Sequence, residues 1–259
     1  PFDGVEKRYT IGSKDTHGYM FLVGYDDKTI TMEYQHSISD GRGFEEFIRC
    51  VLFQYLTLCG YPVENDGSVR GMDTRWSPDE SADGYEQLAD QEFSPDGIWR
   101  KPEASHAWDL TDKGDGPEIV TEVTLPFAQL HDYGKSIGVS PLSIVAPLLM
   151  RAFDKKFGEP DKPVISQIPV DLRPLLPTVT TRYFICFIDL PYLPEYRGLP
   201  LEEVFKRTKA FLNSQMEREQ LLYRAKAASE RCRELHEADM PLAEKMVQGQ
   251  KICKDFVLE

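Results

Sequence analysis

Between Gly18 and Leu56 the spacing of apolar positions changes twice. "GYMFLVGY" (Gly18–Tyr25) is a nearly unbroken apolar run and predicts a buried strand. "DDK" (Asp26–Lys28) is a turn signal, and "TITMEYQH" (Thr29–His36) then alternates strictly, so the two runs predict an antiparallel hairpin. On its second strand Ile30, Met32, Tyr34 and His36 share one face, which puts His36 at the strand end on the more apolar side. The bend "SISDGRG" follows. From Phe44 the period becomes helical: Phe44, Phe47, Ile48, Val51, Leu52, Tyr55 and Leu56 recur at three- and four-residue spacing, with Gly60 as a stop.

The second half of the chain is as regular. "EIVTEVTL" (Glu118–Leu125) predicts a strand and "PFAQLHDYGKSIG" a short helix ending at Gly138. The next helix carries Ser140 as its N-cap and Pro141 in its first turn. "KPVISQIPV" and "RYFICFIDLPYL" predict two strands, and the run from Leu201 to Glu237 a long helix or a pair of helices. The alternation of strands and helices gives a mixed α/β (α+β) class. Between the regular halves lies Pro62–Pro117, irregular, rich in Gly and Pro, and carrying Trp76, Trp99 and Trp108. It predicts a crossover between two lobes, with residues 1–117 belonging mainly to the first and 118–259 to the second.

Charge narrows the function classes. The net charge is −13, and Pro62–Pro117 alone holds fourteen acidic residues against five basic ones. Such a field disfavours nucleic acid as a partner. No apolar run is long enough to span a bilayer, so no transmembrane segment is expected. The five cysteines are odd in number and form no CxxC, which favours reduced thiols and a cytoplasmic setting over a disulfide framework. Cys186 alternates with Ile185 and Phe187 and is expected in the core. His131, Tyr133 and Lys135 are expected to face solvent, as is Arg182.

The candidate chemistry lies at the bend, where His36 and Asp40 stand in the spacing H-x-x-x-D-G. A neutral imidazole near its ordinary pKa of about 6.5 can accept a proton, and general-base catalysis of this kind is worth roughly 10²–10⁴ in rate. A carboxylate beside it either holds the ring or braces its turn. Taken alone, the spacing also fits a polar bend with a satisfied histidine. A metal is disfavoured, because two ligands are too few and no other histidine shows ligand spacing.

The longer strings decide among these. "QHSISDGRGFEEFIRCVLFQYL" resembles the H-x-x-x-D-G signature of the chloramphenicol acetyltransferase-like superfamily, which includes condensation domains and alcohol acetyltransferase-like proteins. "IPVDLRPLLPTVTTRYFICFI" (Ile168–Ile188) resembles its second landmark, a Pro-Val-Asn-Leu-Arg-Pro run followed by an Asn-Phe-Phe strand. Tyr55–Tyr61, "YLTLCGY", is similar to a helix end of bacterial alcohol acetyltransferase-like proteins.

The resemblance implies a fold of two related lobes with mixed sheets. It implies acyl transfer from a coenzyme A or carrier-protein thioester to a small alcohol or amine, most often a hydroxyl. His36 would be the general base. Asp40 would be structural, paired with an arginine for which Arg173 is the candidate, and Gly41 would let the turn close. Coenzyme A would be a substrate, with no metal or redox cofactor, and the residues that would bind it are not assigned. Two alternatives remain: a non-catalytic binding or scaffold member of the same fold, and a thioester hydrolase. The chain departs from the pattern at Gln35, where many members have a second histidine, at Asp171 in place of Asn, and at Tyr183 in place of the strand's Asn. The family pattern also has strands before the hairpin and a further portion after the last helix, so the sequence reads as the middle of a longer protein.

Overall fold

The computed structural model describes residues 2–3, 9–71, 73–100, 122–158 and 160–257. Trp108, His106 and residues 118–121 of the expected strand lie outside the described residues, and 122–125 are not strand. The architecture is mixed α+β, with six helices and two antiparallel strand pairs among the described residues. The chain folds into two compact units. One comprises Pro1–Gln87 and Asp171–Ile185, the other Leu88–Val170 and Cys186–Glu259. The segment Asp171–Ile185 thus belongs with the N-terminal unit rather than with its neighbours in sequence.

In the first unit, β2 (Phe21–Tyr25) and β3 (Ile30–Tyr34) form the hairpin, and the two-residue β1 (Phe2–Asp3) pairs in parallel with Gly24 and Tyr25. The turn is built by Asp26, whose carboxylate accepts from the N–H groups of Lys28 and Thr29 at 2.7 and 2.8 Å. β2 is shorter than the apolar run suggested, with Gly18 in a left-handed turn at φ 78° before it, and it is only partly buried rather than buried as expected. Helix α1 (Gly41–Leu58) starts three residues earlier than its apolar spacing indicates. Its N-cap, Asp40, accepts from the Gly43 N–H at 2.8 Å and draws the glycines into the first turn. Tyr34 stacks on Phe44 with ring centroids 3.8 Å apart, fixing β3 against the start of α1. Beyond α1 the described residues up to 100 are irregular, with 3-10 turns at Pro78–Ser81 and Gly84–Leu88.

In the second unit, α2 (Phe127–Ile137) ends at Gly138, φ 75°, and α3 (Pro141–Phe157) begins at the Ser140 cap. Both match the sequence expectation. The strands β4 (Val164–Asp171) and β5 (Ile185–Tyr192) pair with each other, and α4 (Leu201–Gln215) and α5 (Arg218–Glu237) are two helices separated at Met216–Glu217. A core of Met150, Val164, Leu190, Tyr192, Val204 and Leu212 joins α3, the sheet and α4. α6 (Leu242–Val257) packs on α5 and was not among the elements expected from the sequence.

Candidate active site

The candidate residues gather in the first unit. The β2–β3 ladder runs on until the Gln35 N–H donates to the Met20 carbonyl at 2.9 Å. The Ile38 N–H then donates to the Gln35 carbonyl at 3.0 Å and closes a turn. His36 lies in that turn, two residues past β3, so the strand's alternation no longer governs its side chain. This corrects the expectation of a histidine at the strand end on the apolar face: the His36 residue is exposed. Among the described residues neither ring nitrogen has a hydrogen-bond partner in the protein. Its ring has two aromatic neighbours, Tyr34 at 5.7 Å and Tyr183 at 5.9 Å between centroids.

Asp40 is 1% exposed and fully engaged. One oxygen, Oδ1, caps α1. The other, Oδ2, accepts from Arg173 Nη1 at 3.0 Å and from the Phe184 N–H at 2.7 Å. The structure therefore brings together the two residues that the sequence reading paired. Asp40 does not hydrogen-bond to His36; it braces the element that follows the histidine's turn. Burial first, and the Asp40 charge second, push the Tyr34 phenol above its usual range, so Tyr34 is neutral at ordinary pH.

Arg173 uses each of its guanidinium nitrogens. Nε donates to the Thr180 carbonyl at 3.0 Å, Nη2 to the Arg182 carbonyl at 2.6 Å, and Nη1 to Asp171 at 2.8 Å as well as to Asp40. Its backbone N–H also reaches Asp171 Oδ1 at 3.1 Å. The Asp171 departure thus has a physical consequence: the guanidinium lies between two carboxylates, which fixes its plane. That role was not read from the sequence, although the D-x-R spacing is the signal for it, since an aspartate can accept from the N–H two residues on.

Gly41 and Gly43 differ. Gly41 opens α1 without a left-handed φ, and a Cβ there would meet nothing within 4 Å. Its backbone freedom is not what closes the turn. At Gly43 a Cβ would stand 2.1 Å from the Thr181 carbonyl oxygen and 2.6 Å from Ser39 Oγ, so the close approach of α1 to the 171–185 segment requires the second glycine. Ser39 seals the same junction, donating to the Thr181 carbonyl at 2.5 Å. On the other side of the segment, the Thr181 N–H donates to the Glu80 carbonyl at 2.8 Å, Thr180 Oγ1 to the Ala82 carbonyl at 2.7 Å, and Tyr85 Oη to the Ile185 carbonyl at 2.5 Å.

Other candidates take ordinary roles. Arg182 donates to the Ser81 carbonyl at 3.3 Å from an exposed position. Cys186 is buried, and burial pushes its thiol up to about 12, which removes it as a nucleophile at neutral pH. His131, Tyr133 and Lys135 are exposed on α2. A groove of about 470 Å³ is lined by Asp79, Asp83, Glu86, Thr178 and Val179 among others, and His36 is not part of it. No group of three or more His, Cys, Asp or Glu side chains could hold a metal among the described residues. No single described helix is long and apolar enough to cross a membrane. Compared with known proteins, the chain matches no family model and no curated protein.

Proposed function

We propose that the protein is an acyltransferase of the chloramphenicol acetyltransferase-like kind, with His36 as general base. The observation that carries this reading is the pairing of an open imidazole with a rigid mount. The ring nitrogens of His36 are unengaged by the described protein, and the helix that follows its turn is held by Asp40 through three hydrogen bonds. The donor is a thioester of coenzyme A or of a carrier protein, and the acceptor a small alcohol or amine. In the step, His36 takes the acceptor's hydroxyl proton as its oxygen bonds to the thioester carbonyl carbon. The C–S bond then breaks, and the thiolate leaves with the proton that the imidazolium returns. Asp40, Asp171 and Arg173 carry no proton in this scheme. They keep the mount in place, and Gly41 borders open space beside it.

The test is thiol release from short acyl-coenzyme A substrates, measured with and without a panel of alcohols and amines. Acceptor-dependent release is expected, and His36→Ala lowers it by roughly 10²–10⁴. Equal turnover in both proteins would remove the base assignment. The exposure of His36 favours one second reading, thioester hydrolysis, because water reaches the ring as readily as an alcohol does. Release that does not respond to any acceptor selects that reading. Absence of release across the panel selects the non-catalytic one.

A further inference from the structure

Although the described residues engage neither of its nitrogens, the His36 ring has fixed neighbours. Tyr34 lies on one side at 5.7 Å with an interplanar angle of 42°, and Tyr183 meets it edge to face at 5.9 Å and 67°. Both tyrosines are themselves tied down. Tyr34 is stacked on Phe44, which lies in the first turn of α1 and is buried beneath the Asp40 cap. Tyr183 sits between two gripped residues: the Arg182 carbonyl accepts from Arg173 at 2.6 Å, and the Phe184 N–H donates to Asp40 at 2.7 Å. The carboxylate–guanidinium pair that never touches the imidazole therefore holds both rings that do.

We propose that Tyr183 is a positioning residue for His36, holding the imidazole beside Tyr34, and that Asp40 and Arg173 act on the imidazole through these two rings. Edge-to-face contact between rings is attractive and directional, so it limits the side-chain torsions of an otherwise exposed histidine. Asparagine, which the resembled pattern has at this position, offers no ring for such a contact. Ring placement is thus a device of this chain, and the cost of misplacing a base by about 1 Å, on the order of 10²-fold in rate, gives it a kinetic consequence. That kinetic part rests on the acyl-transfer reading; the placement of the ring does not.

The experiment has two arms, both on the full chain. In the first, the ring proton–carbon resonances of His36 are assigned by their loss in His36→Gln and followed in Tyr183→Phe and Tyr183→Leu. The leucine keeps apolar bulk and the phenylalanine keeps the ring, and thermal unfolding confirms that both variants fold. The expected result is that the leucine moves the His36 resonances and the phenylalanine restores them. Unmoved resonances in the leucine variant, or equal shifts in both, would overturn the proposal. In the second arm, kcat with an acyl-coenzyme A donor falls on the order of 10- to 100-fold in the leucine variant with KM unchanged, and recovers with phenylalanine. Full turnover in a leucine variant whose resonances have moved would overturn the link between placement and rate. If the parent protein releases no thiol while the resonances follow the expected pattern, the acyl-transfer reading falls and the positioning role stands.

Discussion

Two arginines, one in each unit, are wired almost alike. Arg173 pairs with Asp40 and Asp171 and donates to the carbonyls of Thr180 and Arg182. Arg197 pairs with Asp154 through two of its nitrogens, at 2.7 and 3.0 Å, and donates to the carbonyls of Pro160 and Lys162. Each locks an irregular stretch of backbone to a regular element. The difference is what the locked stretch carries. The Arg197 network ties the end of α3 to the loop that follows it. The Arg173 network holds the stretch before β5 that presents Tyr183 to His36, and it shares a carboxylate with the cap of the helix that begins five residues after that histidine. A guanidinium bridging a carboxylate and backbone carbonyls is thus a fastening used in both units, and only the exposed imidazole beside one of them suggests chemistry.

The two networks also differ in their access to water, which orders the consequences of breaking them. Asp40→Ala has the largest expected effect. It leaves Arg173, whose side chain is 13% exposed, with its shorter-range partner Asp171 alone, and strands the N–H groups of Gly43 and Phe184. A loss of about 3–5 kcal/mol is expected in denaturant unfolding. Gly43→Ala comes next, at about 3 kcal/mol, because the added methyl overlaps a backbone carbonyl that cannot rotate away. Gly41→Ala is its control and is expected to be neutral or to stabilise by about 0.5 kcal/mol, since the site is open and the position helical. If the two alanines behave alike, the close approach at Thr181 is not what the second glycine serves. Asp154→Ala should cost less than Asp40→Ala, about 2 kcal/mol, because the Arg197 side chain is 32% exposed and rehydrates when its partner is removed. A cost equal to that of Asp40→Ala would erase the distinction between the networks.

The smallest effect concerns acid. A hydrogen bond from Arg70 first, then the Ser77 N–H and last the Arg70 charge, hold the Glu80 carboxyl below its usual value of 4.5 against partial desolvation. A carboxylate with a depressed folded value contributes stability that is complete above 4.5 and fades as the pH falls through the folded value. Glu80→Gln should therefore lower stability slightly at pH 7, where the contribution of the carboxylate is complete, and the deficit should shrink as the pH falls below about 4.5, measured as unfolding midpoints across that range. An unchanged acid limb would mean that this partly exposed pair adds nothing to the fastening of the 171–185 segment.

What the sequence disclosed follows from where the information is local. The α2–Gly138–Ser140–α3 corner was legible to the residue, because caps and left-handed glycines act over three or four positions. The pair of helices α4 and α5 and the strands β4 and β5 were legible from period alone. At the site, Asp40 and Arg173 were named as partners through a motif resemblance; 133 positions separate them, and periodicity carries no trace of such a contact. The exposed setting of His36 was not legible, because alternation was carried two residues past the end of β3. The sharing of Asp40 between a cap and a distant N–H, and the ring of Tyr183 against His36, depend on a meeting of segments that no local pattern encodes. Helix α6 was not read from the sequence, although Leu242, Met246, Cys253, Phe256 and Val257 fall at three-, four- and seven-residue spacing; it packs on α5.

The reach of the Asp40 carboxylate sets an order of events during synthesis. Its last hydrogen bond is to the Phe184 N–H, 144 residues downstream. A nascent chain can wind α1 and close the hairpin early, but the mount of His36 stays incomplete until residue 184 has left the ribosome and found its way back. Until then the Asp40 side chain has only its local capping bond, and the glycine-lined start of the helix faces water where Thr181 will sit.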